Sequence, residues 1–573
     1  MFGPWHRPYL ALFEQVLHDR AVDVANEYPI GEARNKALDI ANRVRLPYWD
    51  WAMDPPNSEE GVIPENSEFE FKYWNHTIRY PADPHAANAT SRNSEVNDRV
   101  GKQQPNLRDM LYKLLTTYQP FSQVSNKANG GKIGNFETLH DGLHTVFGLG
   151  HMGIVEVSAF DPIFWFHHCN IDRIISMYQT RYPDTWVEDA EQRMGSFAVA
   201  SGSVLGTASP LAPFHMNALG DMWTATTSRN WTSFGYTYPE LENNPSNATL
   251  TSSINQLYKA QTQGLSETNA TVNATFPTPG GGSINRTVQA TDWQCEVNMP
   301  TDIKVSYAVR AFLGEPSTNP IDWPTDPNYV GQLATLSSPR MSSSNIVTGN
   351  IGLTEKLAQK HAAGELKSLD KETVQAYLKE KFSWRIQALD FSEIPRNKPP
   401  KGLNVTVFSV PVSIPESDTE VPTWNGDAEY KDDIEGNPPV YNGPGPDGTN
   451  STLPADQSSG SYDAESGEFV WKKAPVPEVV PDAGGVGPQI ATTLLESVIT
   501  QYVTLGASTP AVSTPTPAVS IEVSSAPAIS SIPTPTPEVS SAPAVSEQAP
   551  EPTAPADPQT TVVTSVIMEY VTV

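Results

Sequence analysis

Apolar and polar residues repeat along the chain with two periods, and the change from one to the other divides it. In "HRPYLALFEQVLHDRAVDVANEY", Leu10, Phe13 and Leu17 recur at helical spacing. A helix is predicted there with Pro8 in its first turn, where a missing N–H costs little. "SAFDPIFWFHHCNIDRI" opens on Asp161 and Pro162, residue types that cap and start helices, so a helix should present His167 and His168 in its second turn. Further on the period shortens. "DIKVSYAVRAFLG" alternates Ile303, Val305, Tyr307, Val309 and Ala311 on one face, as a half-buried strand does, and "GLNVTVFSV" does the same at Leu403, Val405 and Val407. Between them, "LDKETVQAYLKEKF" offers Asp370 as an N-cap ahead of Val374, Tyr377 and Leu378 on one helical face.

The patterns predict a mainly α domain over residues 1–240, with long loops, and a mainly β domain over 287–415. Residues 241–286, rich in Thr, Asn and Gly and ending "PTPGGGSINRT", read as a linker open to proteolysis. Residues 411–490 hold fifteen Asp or Glu against three Lys, too polar to pack a core, so 416–504 is read as an acidic Pro/Gly-rich linker. From 505 to 573, near-repeats such as "SSAPAIS" and "SSAPAVS" predict a disordered tail consistent with an O-glycosylated stalk. Its last residues, "TTVVTSVIMEYVTV", are apolar but short and include Glu569, neither a membrane span nor a lipid-anchor signal.

Composition narrows the partners. A chain of 573 residues has room for two or more domains. A formal net charge of -28 argues against nucleic acid or an anionic membrane, which select basic patches. No apolar run reaches the roughly 18 residues of a membrane helix, and no signal peptide is visible. Nine sequons, at Asn75, Asn88, Asn230, Asn247, Asn269, Asn273, Asn285, Asn404 and Asn450, nevertheless favour a secreted or cell-wall associated protein. Two cysteines, Cys169 and Cys295, leave room for one disulfide.

Candidate chemistry sits in the α region, which carries all the histidines but His361. His140 and His144, in "FETLHDGLHTVFG", are four apart and share a helix face. One of His167 and His168 can join them, but adjacent helical residues point about 100° apart, so both cannot face one ion. Three imidazoles fill three positions of a metal and leave one open for a small molecule. A zinc hydrolase would satisfy the same description, although "HDGLH" has Asp where the HExxH motif has Glu.

"PWHRPYLALFEQ", "HDGLH" and "FDPIFWFHHCNIDR", with "LPYWDWA" and "SFGYTYPE", together resemble the tyrosinase and catechol oxidase family of binuclear type-3 copper proteins, especially its fungal members. The resemblance implies a four-helix bundle holding a copper pair, a β-rich C-terminal lid that keeps a latent proenzyme, and an activating protease that cuts after Tyr236-Thr237-Tyr238. By position it makes His140, His144 and His168 the ligands of one copper and His6 a ligand of the other. Glu137 matches a water-holding glutamate, Phe164 an aromatic beside the substrate ring, and Asp141 the residue that tunes proton removal; Asp172 then lies behind the ligands, and Arg7 and Glu14 read as structural. His151 and His167 are expected to pack, Cys169 to be buried, and His18, His76, His85, His215 and His361 to lie at the surface.

The expected substrates are a small phenol and O2, with monophenol hydroxylation to o-diphenol and oxidation to o-quinone leading to a melanin-type pigment. Alternatives are catechol oxidation alone, an oxygen carrier, or an inactive half-site. The last arises because two further ligands of the first copper have no counterpart before His6, so the resemblance suggests an N-terminally shortened sequence with one complete site. Loss of the covering helix predicts that Phe13 and Phe164 face water.

Overall fold

The structure is a computed structural model describing residues 1–53, 93–259 and 287–434, apart from short gaps at 129, 149–150, 156, 193–197, 302–305, 337–345, 397–398 and 416, plus the short strands 460–463, 468–471 and 561–562. His76, His85, six of the sequons, and, apart from those short strands, residues 435–504 of the acidic linker and the repeat tail lie outside the described residues; residues 417–434, read as part of that linker, instead add two short strands to the second domain and bury Ile434.

Among the described residues, six helices of ten or more residues build the first domain: α1 (Phe2–Glu27), α2 (Glu32–Ala41), α3 (Asn93–Thr116), α4 (Phe136–Val146), α5 (Ile163–Arg181) and α6 (Asn247–Tyr258). Helix α1 begins earlier than its apolar spacing suggests, so Pro8 lies inside it. The reason is packing: Gly3, Pro4 and Arg7 are buried, and a Cβ on Gly3 would fall 2.6 Å from Ile175 Cδ1 of α5. Leu10 is buried, Phe13 stacks on Trp165 at 3.5 Å, and Leu17 is exposed. Phe164 is only 6% exposed, so the expectation that it faces water does not hold, while Phe13 is half-buried.

Helix α5 starts one residue later than expected, yet Asp161 still caps it, its Oδ1 accepting from Ile163 N at 3.1 Å. Asn135 caps α4 through Thr138 N. Helix α6 falls inside the stretch read as linker. Leu250, Ile254 and Tyr258, one turn apart, are all buried, and that apolar stripe outweighs the Thr- and Asn-rich composition.

The second domain holds two antiparallel sheets and two helices. Strands β1 (Thr287–Pro300), β4 (Ile346–Gly352), β7 (Asn404–Pro415), β8 (Thr423–Trp424) and β9 (Glu429–Tyr430) form one, with Cys295 opposite Val407 and Ile351. Strands β2 (Tyr307–Leu313), β3 (Tyr329–Thr335), β5 (Phe382–Ala388) and β6 (Glu393–Ile394) form the other, in the order β6-β5-β2-β3. Every residue of β2 and β3 is buried. The half-buried reading of β2 fails because periodicity cannot show that both faces of a sheet are covered. Helices α7 (Thr354–Ala362) and α8 (Lys371–Lys381) complete the domain, with Asp370 capping α8 through Thr373 N.

The two domains pack as one unit within residues 1–474. Glycines mark two close approaches: a Cβ on Gly331 of β3 would fall 2.4 Å from Asn106 Cγ, and one on Gly352 of β4 would fall 2.2 Å from Asp109 Oδ2. Both cysteines are free and buried, so the possible disulfide is not formed. Asn230, Asn247 and Asn404 are exposed. No helix among the described residues is long and apolar enough to cross a membrane.

Candidate metal centre

Four buried imidazoles, those of His140 and His144 on α4 and of His167 and His168 on α5, bring nitrogens within 4.8 Å of one another. Helix α4 sets the first two one turn apart, and α5 crosses them. His168 Nε2 lies 3.2 Å from His140 Nε2 and 3.1 Å from His144 Nε2. Imidazole nitrogens held about 2.0–2.1 Å from one tetrahedral ion would lie about 3.3 Å apart, so the spacing fits a shared metal.

The far side of each ring decides which nitrogen faces inward. His144 Nδ1 donates to Met152 O at 2.6 Å, and His140 Nδ1 donates to Asp141 Oδ1 at 3.0 Å. A carbonyl and a carboxylate only accept, so both rings turn an Nε2 lone pair to the centre. Burial, with help from neighbouring imidazoles, pushes His140, His167 and His168 well below the ordinary histidine value; burial brings His144 down to about 4. The rings are therefore neutral, the state in which imidazole binds a metal.

His167 is the exception. Its Nδ1 accepts from Trp51 Nε1 at 3.0 Å, and an indole N–H only donates, so the proton of neutral His167 sits on Nε2. No lone pair remains for an ion. Its ring instead stacks on His140, with centroids 5.0 Å apart at 19°. His6 stands beside the centre: its ring lies 4.7 Å from that of His168, and its Nδ1 donates to Phe2 O at 2.8 Å, leaving Nε2 with the lone pair.

Phe164, one turn before His168, stacks on the His168 ring at 4.0 Å and lies 6.0 Å from His144. Glu137 and Asp141 are engaged elsewhere. Glu137 Oε2 accepts from Lys127 N at 2.9 Å and Oε1 lies 3.6 Å from Lys127 Nζ. Asp141 Oδ2 accepts from Lys127 Nζ at 2.7 Å and from Leu336 N of the second domain at 3.0 Å. Burial alone would lower the Lys127 pKa, but Asp141 and Glu137 raise it overall.

Behind the ligands, Asp172 accepts from Arg7 Nε and Tyr236 OH, both at 2.6 Å, and from Tyr238 OH at 2.7 Å. Arg7 also donates to Ser176 Oγ, Gln179 Oε1, Ser228 O and Arg229 O. Glu14 accepts from Leu46 N at 2.8 Å. Cys169 is buried with its Sγ toward Leu46 O. His151 is half-buried on a short 3-10 turn, His215 is exposed, and His18 and His361 are half-buried. His361 Nδ1 donates to Leu366 O at 2.8 Å.

Sequence reasoning missed Lys127, Trp51 and Met152. Lys127 and Met152 carry no spacing signal, since their partners lie elsewhere in the chain. Trp51 lies within "LPYWDWA", which signalled the family without indicating a contact to His167.

The family model described as the common central domain of tyrosinase matches residues 1–181, and that described as the tyrosinase C-terminal domain matches 292–407. A tyrosinase of Neurospora crassa is 25% identical over 560 residues, covering 73% of this chain and 81% of the relative. A tyrosinase of Podospora anserina is 30% identical over 285 residues, covering 42% of this chain and 49% of its own length. The fold matches a crystal structure of latent and active mushroom tyrosinase with a TM-score of 0.59 at 22% identity, covering 76% of this chain and 84% of that one.

Proposed function

The chain belongs to the tyrosinase family, with that family's central and C-terminal domains in series, and from that premise we propose that it oxidises o-diphenols with O2 to o-quinones at the histidine centre. It is an oxidoreductase of the tyrosinase and catechol oxidase kind, and its general chemistry is copper-dependent phenol oxidation. Convergence of the His140, His144 and His168 Nε2 atoms at 3.1–3.2 Å carries the proposal. These three residues would hold one copper, and His6 would serve the other ion of the family's binuclear centre.

Bound copper supplies the electron exchange with dioxygen that no side chain here provides. The protein fixes the ring tautomers through Asp141 and Met152, excludes water by burial, and offers the Phe164 ring as a face for the substrate. Hydroxylation of monophenols, the route to a melanin-type pigment, also asks for a carboxylate to accept the phenol proton. Because Lys127 engages both Glu137 and Asp141, the arrangement favours the diphenol reaction; hydroxylation requires Lys127 to release one of them.

Metal analysis of purified protein, followed by parallel assays with a catechol and a matched monophenol, tests the reading. Bound copper and quinone formation from the catechol are expected. Zinc without copper, or a copper protein that binds O2 and never oxidises the catechol, would overturn it.

A further inference from the structure

One residue of the second domain reaches the ligand helix by its backbone alone. Leu336, just past β3, donates its N–H to Asp141 Oδ2 at 3.0 Å, and its carbonyl accepts from Lys127 Nζ at 3.2 Å. Lys127 Nζ also donates to Asp141 Oδ2 at 2.7 Å. Lys127, Asp141 and Leu336 thus form a closed hydrogen-bonded ring. Asp141 and Lys127 are 1% and 8% exposed, so water does not replace these bonds cheaply. The other oxygen of Asp141 accepts the Nδ1 proton of His140. Gln332 of β3 adds a second tie, donating to Gly142 O at 3.1 Å.

We infer that Lys127 is a positioning residue for His140, acting through Asp141, and that the Leu336 backbone makes the second domain part of the support of this ligand rather than only a cover. The inference rests on reading His140 as a metal ligand. A carboxylate behind a ligating imidazole fixes the ring and raises its basicity, and losing such a partner weakens metal binding about 10- to 100-fold. Lys127 and Leu336 hold that carboxylate in place. The ring spans both domains, so separating them removes the N–H and carbonyl of Leu336 together.

The test is a Co2+ titration of the metal-freed full chain, read by the visible absorption of bound Co2+, with circular dichroism to check folding. Lys127→Met is expected to weaken Co2+ binding about 10-fold or more, and Lys127→Arg to restore most of it. In an Asp141→Asn background, Lys127→Met should change little, because the residue through which it acts is already altered. Wild-type affinity in folded Lys127→Met overturns the inference, as does a loss that persists in full in the Asp141→Asn background. Should Lys127→Met not fold, Leu336→Pro removes the donated N–H and leaves both charges: weakened binding supports the ring, and unchanged binding overturns it. A wild-type chain that binds no Co2+ defeats the metal-centre reading itself, and the inference with it.

Discussion

Helix α5 carries two polar centres one turn apart, built on opposite terms. At Asp172 the chain supplies every partner: Arg7, Tyr236 and Tyr238 converge on one carboxylate, and Arg7 spends its remaining donors on Ser176, Gln179 and two carbonyls. At His168 three ring nitrogens meet, and two of them, on His140 and His144, bring lone pairs that the single nitrogen His168 turns toward them cannot satisfy with more than one proton. The first centre is complete without a ligand, and the second calls for a cation. Buried polar atoms in need mark a binding site; buried polar atoms in balance mark a brace.

Altering the two centres therefore separates metal binding from stability. The largest effect is expected from His168→Ala, which abolishes copper retention and catechol oxidation while thermal unfolding of the metal-free protein changes little; copper content after dialysis against a chelator measures it. Asp172→Ala leaves the buried Arg7 charge unpaired and should cost about 3–5 kcal/mol in urea unfolding. Copper loss from a still-folded Asp172→Ala protein would break the contrast.

Acid comes next. Burial holds His144 at about 4 against an ordinary 6.5, so the unfolded chain takes up its proton first as pH falls. The stability this ring contributes is full above about 6.5 and is lost between there and about 4, a fall of about 3 kcal/mol at most, read by unfolding the metal-free protein across that range. Tyr236→Phe removes one donor from a carboxylate that keeps two others, and should cost about 2 kcal/mol without altering copper content.

The share of this arrangement that is legible in sequence follows its range along the chain. His140 and His144 announce themselves because α-helical spacing is local. The caps at Asp161 and Asp370 are legible for the same reason. The hydrogen bond that takes the His167 Nδ1 lone pair comes from Trp51, 116 positions away, and one of the two donors that engage Asp141 Oδ2 comes from Leu336, 195 positions away; only the fold brings such pairs together. The α-then-β order is plain from the two periods. The depth at which β2 lies is hidden, because alternation reports one face of a strand and says nothing of what covers the other. Helix α6 had a signal in Leu250, Ile254 and Tyr258, masked by its polar neighbours.

The packing of α6 also bears on how the two domains could be parted. Beyond the Tyr236-Thr237-Tyr238 stretch the chain does not come loose: Glu240 pairs with Arg173 of α5, Asn255 accepts from Tyr112 of α3, and Tyr258 donates to Asp50 and accepts from Arg173. Asn255 also donates to the carbonyls of Asp418 and Glu420, in the stretch after β7. A nick between Leu241 and Ser246 would therefore leave both new ends docked, Glu240 holding one side of the cut and α6 the other. Among the described residues, the last of these α6 tethers sits at Tyr258, some twenty residues beyond the tyrosine pair.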